Sequence, residues 1–211
     1  MIDTLKDTFY FFENGLSHRF CDNVVKHGLS KKFKQAVIGG KNLKQTSKKE
    51  LGFVKENIRN SNTNWTSEKW LYKELRPFIN FANKETGWNF QHDWIESLQF
   101  TKYKKGQFYT THTDTFKEPF KHKNKYFANK IRKLSVTCQL SDPNDYEGGE
   151  LVFTIPQLID GKTSFAEVTC EQFLPKGTVI VFPSFMWHRV NKVTKGVRYS
   201  LVSWILGYPF I

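Results

Sequence analysis

The sequence predicts an α+β fold, a double-sheet jelly roll buttressed by N-terminal helices. Three observations predict it. Before Trp94, apolar residues recur at helical spacing in two stretches. From Trp94 onward the period changes to two, the alternation of a half-buried strand. The alternating part breaks into eight short runs separated by Gly, Pro, Asn and Asp, the pattern of a two-sheet all-β core.

Taken in order, Thr8-Phe-Tyr-Phe-Phe-Glu reads as a strand closed by Asn14-Gly15. Ser17 caps a helix to about Leu29, with Phe20, Val24 and Val25 on its apolar side. Residues 30–50 are rich in Lys, Gly and Gln and read as a loop, with one short strand at Gln35–Ile38. Asn60 to Thr66 is polar and turn-like. Ser67 opens a second helix through Leu71, Leu75, Phe78 and Ala82, which Pro77 should kink or divide. Strands are expected at 94–104, 107–113, 133–141, 149–155, 167–173, 178–183, 187–193 and 197–206. Residues 1–93 thus form a support region and 94–211 the β core of one domain. Two connections, Thr115–Arg132 and Pro156–Ala166, exceed ordinary loops, and such loops are lids, binding loops or disordered. The basic stretch Lys117–Lys133 reads as a mobile lid.

With 211 residues, 39% hydrophobic and 16% aromatic, the chain can bury a sizeable core. No apolar run reaches membrane-spanning length, and the opening Met-Ile-Asp-Thr-Leu-Lys-Asp is not a secretory signal. Cys21, Cys138 and Cys170 lack metal-type spacing, so reduced thiols and a cytoplasmic setting are expected. The net charge of +12 points to an anionic partner, such as nucleic acid, a ribosome or an acidic protein, or to a lysine-rich solvated surface. The charge is uneven, with nine Lys and one Arg against Asp114 and Glu118 in residues 101–135.

The chemistry concentrates in Tyr103–Asp114, Tyr-Lys-Lys-Gly-Gln-Phe-Tyr-Thr-Thr-His-Thr-Asp. On a strand, His112 and Asp114 share a face. Alone, such a pair is better read as a surface His and a turn Asp. His188, in Phe-Pro-Ser-Phe-Met-Trp-His-Arg-Val, is placed to add a third ligand. Two His and one carboxylate are the set that holds non-haem Fe(II) with positions open for substrate and oxygen. Ten residues later Arg198 and Ser200 share a strand face with Val202 and Trp204. An inward Arg needs an anion, either a bound carboxylate or an Asp or Glu of the protein.

Tyr-x-x-Gly-x-x-Tyr-x-x-His-x-Asp (Tyr103 to Asp114), Leu-Ser-Asp-Pro-x-Asp-Tyr-x-Gly-Gly-Glu-Leu (Leu140 to Leu151) and Phe-Pro-Ser-x-x-Trp-His-Arg-Val (Phe182 to Val190) resemble the 2-oxoglutarate- and Fe(II)-dependent dioxygenases. Within that superfamily they are similar to the prolyl 4-hydroxylase branch, especially to microbial PKHD-type hydroxylases and relatives carried by bacterial viruses. The resemblance is strong over about residues 94–211 and loose before them. It implies a double-stranded β-helix, cupin-like, with Fe(II), 2-oxoglutarate and O2 as cofactors and ascorbate as an optional reductant. By the resemblance, His112, Asp114 and His188 ligate iron, Arg198 grips the distal carboxylate of 2-oxoglutarate with Ser200 assisting, Tyr103 reaches the cosubstrate and Trp204 lies beside it. Gln139 stands where many relatives carry a tyrosine that helps hold the cosubstrate. Gly148-Gly149 reads as a tight turn. Tyr109, Arg59 and Trp187 are candidates for a substrate-facing wall, with core or loop packing as the plainer reading of Arg59.

The resemblance implies hydroxylation of a prolyl residue in a peptide or protein, in the cytoplasm of a cell or of a virus's host. An AlkB-type nucleic-acid demethylase would suit the charge, but that group carries a second Arg six residues after the first, where this chain has Trp204. A hydroxylase of a free amino acid shares the same iron site, and a jelly roll without metal would not be expected to keep the triad and Arg198.

Overall fold

The computed structural model describes residues 8–36, 57–169 and 171–210. Its elements run β1 (Tyr10–Phe12), α1 (His18–Leu29), β2 (Lys34–Gln35), β3 (Arg59–Asn60), β4 (Asn62–Thr66), α2 (Lys69–Glu85), β5 (Trp94–Ile95), β6 (Leu98–Lys104) and β7 (Phe108–His112). There follow β8 (Ile131–Gln139), β9 (Tyr146–Gly148), β10 (Leu151–Ile159), β11 (Lys162–Val168), β12 (Val179–Pro183), β13 (Trp187–Val190) and β14 (Val193–Gly207). The strands form two antiparallel sheets. The larger has the order β1-β12-β8-β14-β6-β4-β2, with β5 and β9 also paired to β14, and the smaller has the order β11-β10-β13-β7-β3. This is the jelly roll that the period-two pattern predicts.

Both helices cover the outer face of the large sheet. Cys21 and Val24 of α1 and Leu71, Leu75, Ile79 and Ala82 of α2 pack with Leu98, Phe100, Leu134, Val136, Leu201 and Ile205 of the strands. A second apolar cluster fills the space between the sheets, from Tyr103, Leu151, Phe153, Ile180, Phe182 and Val190. The central strands are therefore buried on both faces. Along β8, Leu134, Val136 and Cys138 face the helices, while the equally buried Ser135, Thr137 and Gln139 line the interior of the roll. No helix among the described residues is long and apolar enough to cross a membrane.

Several local expectations are corrected. Pro77 does not divide α2, whose buried stripe on the sheet runs through it unbroken. Asn60–Thr66 is not a turn. Its polar residues belong to β3 and β4, where Thr63, Asn64 and Thr66 are buried and Asn64 Nδ2 donates to the Gly28 carbonyl at 2.8 Å. The short early strand lies at Lys34–Gln35, and half of its expected span, residues 37–38, lies outside the described residues. Residues 171–173 form a single 3-10 turn rather than a strand end, and Phe173 drops into the inter-sheet cluster.

The two long connections are also more regular than their composition implies. Pro156–Ala166 is the body of a β10–β11 hairpin turning at Asp160-Gly161, both at positive φ. Asp-Gly is the signature of a two-residue hairpin turn. Thr115–Arg132 closes on aromatic contacts of its own. Phe120 touches Phe116 and Phe127 edge-on, Tyr126 stacks on Trp94 at 4.0 Å, and Lys130 reaches Asp93 at 2.7 Å.

The helix–sheet contact is tight at Gly28, where an added Cβ would come within 2.4 Å of the Phe100 ring. Gly28→Ala gains about 1 kcal/mol in helix propensity, while overpacking a filled core costs about 1–3 kcal/mol. With a contact this short the clash wins, and urea denaturation should show a net loss of stability in Gly28→Ala.

Candidate metal and cosubstrate site

His112 ends β7 and His188 is the second residue of β13, and the two are direct partners across the small sheet, so their side chains leave on the same side. Their rings lie 4.2 Å apart between centroids. Each fixes its own tautomer. His112 Nδ1 donates to the Thr110 carbonyl at 2.7 Å and His188 Nδ1 to the Met186 carbonyl at 2.9 Å, leaving both Nε2 lone pairs free. Burial and the neighbouring His188 hold the His112 pKa down to about 3, so the ring is neutral at neutral pH.

Asp114 joins them by a different route from the one expected. The strand stops at His112, and the chain beyond it is anchored by backbone bonds: the amides of Asp114 and Thr115 both donate to the Ser184 carbonyl, at 2.8 and 3.0 Å. Ser135 Oγ donates to Asp114 Oδ2 at 2.7 Å and lies 2.9 Å from Ser184 Oγ. Since the Ser135 proton is committed to the carboxylate, Ser184 donates to Ser135, and the two hydroxyls form a chain ending on Asp114. Burial raises the Asp114 pKa, but His188, His112, Arg132 and the Ser135 hydroxyl outweigh it and hold the carboxyl at about 2.

The carboxylate oxygens stand 3.7 Å from His112 Nε2 and 3.6 Å from His188 Nε2, too long for hydrogen bonds. The three ligand atoms lie within 4.8 Å of one another. Two imidazoles and one carboxylate converging in this way fit a single divalent cation, and the donor set is that of a non-haem Fe(II) site.

Arg198 lies further into the roll on β14. It is 5% exposed and has no carboxylate partner among the described residues. Its guanidinium lies 5.7 Å from the Tyr103 ring centroid, the two residues being cross-strand partners. A buried cation without a counter-ion is costly, so the site fits a ligand that brings its own carboxylate. Ser200 shares the Arg198 face and pairs with Gln139 across β8. Gly149 leaves room for the Arg198 stem, since an added Cβ would lie 3.0 Å from Arg198 Cδ. Gly148 and Gly149 both sit at positive φ, as a tight turn requires.

Of the substrate-wall candidates, Tyr109 stacks on His112 at 3.5 Å, and the Arg59 guanidinium lies 4.6 Å over Tyr109. Arg59 is buried in β3, and its Nε donates to Ser61 Oγ at 3.2 Å. Trp187 is not part of this wall. It alternates with the inward His188, lies on the outer face and is 51% exposed. Trp204 is buried on the inner face, 5.8 Å from Trp65, with no hydrogen-bond partner for its Nε1.

Three groups of residues escaped the sequence reading. Arg132 stacks on Trp204 at 3.8 Å, donates to both Glu96 oxygens at 2.6 and 3.0 Å and stands beside the Asp114 carbonyl. Ser135 and Ser184 orient Asp114. Tyr146 lines the Arg198 cavity. The polar alternation Ser135-Val-Thr-Cys-Gln was a readable sign of a polar interior, whereas Glu96 is 36 residues from Arg132 and had no local sign.

Removing the partner that orients a metal ligand typically lowers metal affinity 10–100-fold. Calorimetric titration with Mn(II) should show one ion per chain, none in His112→Ala/His188→Ala, and a fall of about that size in Ser135→Ala. An unchanged affinity in Ser135→Ala would mean that its hydroxyl does not orient Asp114.

Comparison with known proteins agrees with this geometry. Residues 98–206 match the model of the 2OG-Fe(II) oxygenase superfamily. A PKHD-type hydroxylase of Picosynechococcus is 37% identical over 114 residues, covering 54% of this chain and 43% of the relative, so the match spans less than half of that protein. In structure the chain is similar to a Pseudomonas putida prolyl-4-hydroxylase, with a TM-score of 0.64 at 18% identity, covering 96% of this chain and 94% of the other. It is also similar to a Trichoplax adhaerens prolyl hydroxylase in complex with a hypoxia inducible factor peptide fragment, with a TM-score of 0.60 at 15% identity over 94% and 83% of the two chains. These two likenesses establish the double-stranded β-helix fold, and the family match over half the sequence, together with the His112–Asp114–His188 cluster, establishes that this chain belongs to the 2OG-Fe(II) oxygenase superfamily.

Proposed function

We propose that this chain is a 2-oxoglutarate- and Fe(II)-dependent dioxygenase that hydroxylates a prolyl residue of a peptide or protein. The observation that carries the chemistry is the pairing of a two-His, one-carboxylate cluster with a buried Arg198 that has no acidic partner among the described residues. His112, Asp114 and His188 would hold Fe(II), and Arg198 with Ser200 would bind the distal carboxylate of 2-oxoglutarate. The bound group supplies the oxidising power to place one atom of O2 on an unactivated C–H bond, with 2-oxoglutarate leaving as succinate and CO2.

The protein's part is to position and to exclude water. No proton needs to move at the substrate, so the reaction needs no acid–base pair there. The Arg59–Tyr109–His112 stack and the Trp204–Arg132 stack flank the cluster with flat surfaces. Such walls suit an uncharged five-membered ring. Arg132, fixed by Glu96, offers N–H donors to a backbone carbonyl of the substrate. The prolyl assignment is supported by the names of the relatives and by the motif text rather than by these walls.

A panel of proline-containing peptides should gain the mass of one oxygen atom only when Fe(II) and 2-oxoglutarate are both present. Absence of that gain on every proline, with oxidation of methylated nucleic acid instead, would transfer the site to the demethylase reading. Arg198→Ala should raise the 2-oxoglutarate requirement far more than that for iron, and Arg198→Lys should restore only part, because Lys cannot form the planar fork. Unchanged kinetics in Arg198→Ala would make Arg198 structural.

A further inference from the structure

Gln139 brings an amide, and no hydroxyl, to the wall of the Arg198 cavity. The cavity is nevertheless lined by a tyrosine from elsewhere, Tyr146 of β9. Tyr146 is 6% exposed, and its hydroxyl is bonded to Gln139 Nε2 at 2.5 Å. Gly149 locates it against the cosubstrate residue: a Cβ there would lie 3.6 Å from Tyr146 Cε2 and 3.0 Å from Arg198 Cδ. The phenol edge and the Arg198 stem thus flank one glycine. The backbone holds the same neighbourhood together, with Tyr146 paired to Gly196 and Gln139 to Ser200 on the one strand β14.

The donor count then decides what this pair can do. Gln139 and Tyr146 together own three side-chain N–H and O–H donors, and the bond between them uses one. With the amide nitrogen toward Tyr146, the phenol hydrogen is left to point elsewhere. With the amide turned over, the phenol donates to Gln139 and the amide N–H groups are left. Either way spare donors remain on a wall shared with the Arg198 guanidinium, and two kinds of donor lining one cavity suit a carboxylate.

We propose that Tyr146, held in place by Gln139, is a cosubstrate-binding residue that completes with Arg198 the grip on the distal carboxylate of 2-oxoglutarate. Gln139 is the positioning residue and Tyr146 the contact. This rests on the reading of Arg198 given above.

The test is calorimetric titration of 2-oxoglutarate into the full chain loaded with Mn(II), which binds without turnover, alongside the melting temperature of each variant without cosubstrate. Tyr146→Phe keeps the ring and removes only the hydroxyl. It should weaken 2-oxoglutarate binding about tenfold or more, the effect of one charge-assisted hydrogen bond, and leave Mn(II) affinity unchanged. Gln139→Leu should weaken it less. If the melting temperature of Tyr146→Phe falls while 2-oxoglutarate affinity stays at the wild-type value, the pair is a structural brace and the proposal is wrong. If Arg198→Ala binds 2-oxoglutarate as tightly as wild type, the cosubstrate reading fails first, which separates the two outcomes.

Discussion

The direct cross-strand pairing of His112 with His188 is the constraint on which the rest of the site depends. Two residues 76 positions apart become opposed in one sheet, so their imidazoles need no further device to face the same way. Each is then locked by a bond to a carbonyl two residues back on its own chain, which sets the Nε2 atoms toward the centre. Asp114 is added at the point where β7 stops pairing. The Ser184 carbonyl just before β13 takes the two amides that the strand would otherwise leave unpaired. The turn that delivers His188 therefore also delivers Asp114.

Two irregularities in register bring in the residues around the cluster. Between His188 and Val190 the small sheet spends two steps on β13 against three on β7, so Tyr109 joins His112 on the inner face although simple alternation would put it outside. In the large sheet Ile205 pairs with Leu134 but Leu206 pairs with Arg132, leaving Lys133 as the extra residue. Arg132 and Leu134 would share a face on a regular strand. The bulge separates them, Leu134 going into the helix-side core and Arg132 over Trp204 beside Asp114. Both walls of the site are products of a bulge, the role such irregularities often have near active sites.

The interior also separates its charges. The metal end holds an ionised carboxylate, Asp114, beside the neutral His112 imidazole, while the deep end is cationic at Arg198. A 2-oxo acid has a chelating head and a distant carboxylate, and this polarity orients it head to the metal and tail to the arginine. The buried polar faces of β8 and β14 give that gradient its wall, with Ser135 at one end and Gln139 and Ser200 at the other.

The fold class was legible in the sequence because both cores are read by period: 3.6 for the helices that cover the large sheet and two for strands with one apolar face. The metal ligands were legible because His-x-Asp and the later His sit in local text that carries its own geometry. The β10–β11 hairpin was legible too, in Asp160-Gly161, though the length of the stretch obscured it. What tertiary structure alone decided is parity and distant pairing. A bulge shifts every later side chain to the other face without leaving a mark in composition, so the inward turn of Tyr109 and Arg132 could not be read from spacing. Trp187 and His188 show the reverse case: adjacency in sequence suggested a shared cavity, and strand alternation sends the two to opposite faces. The chain by itself thus determined which groups are available for iron and a carboxylate, and the register of two sheets decided which of them meet.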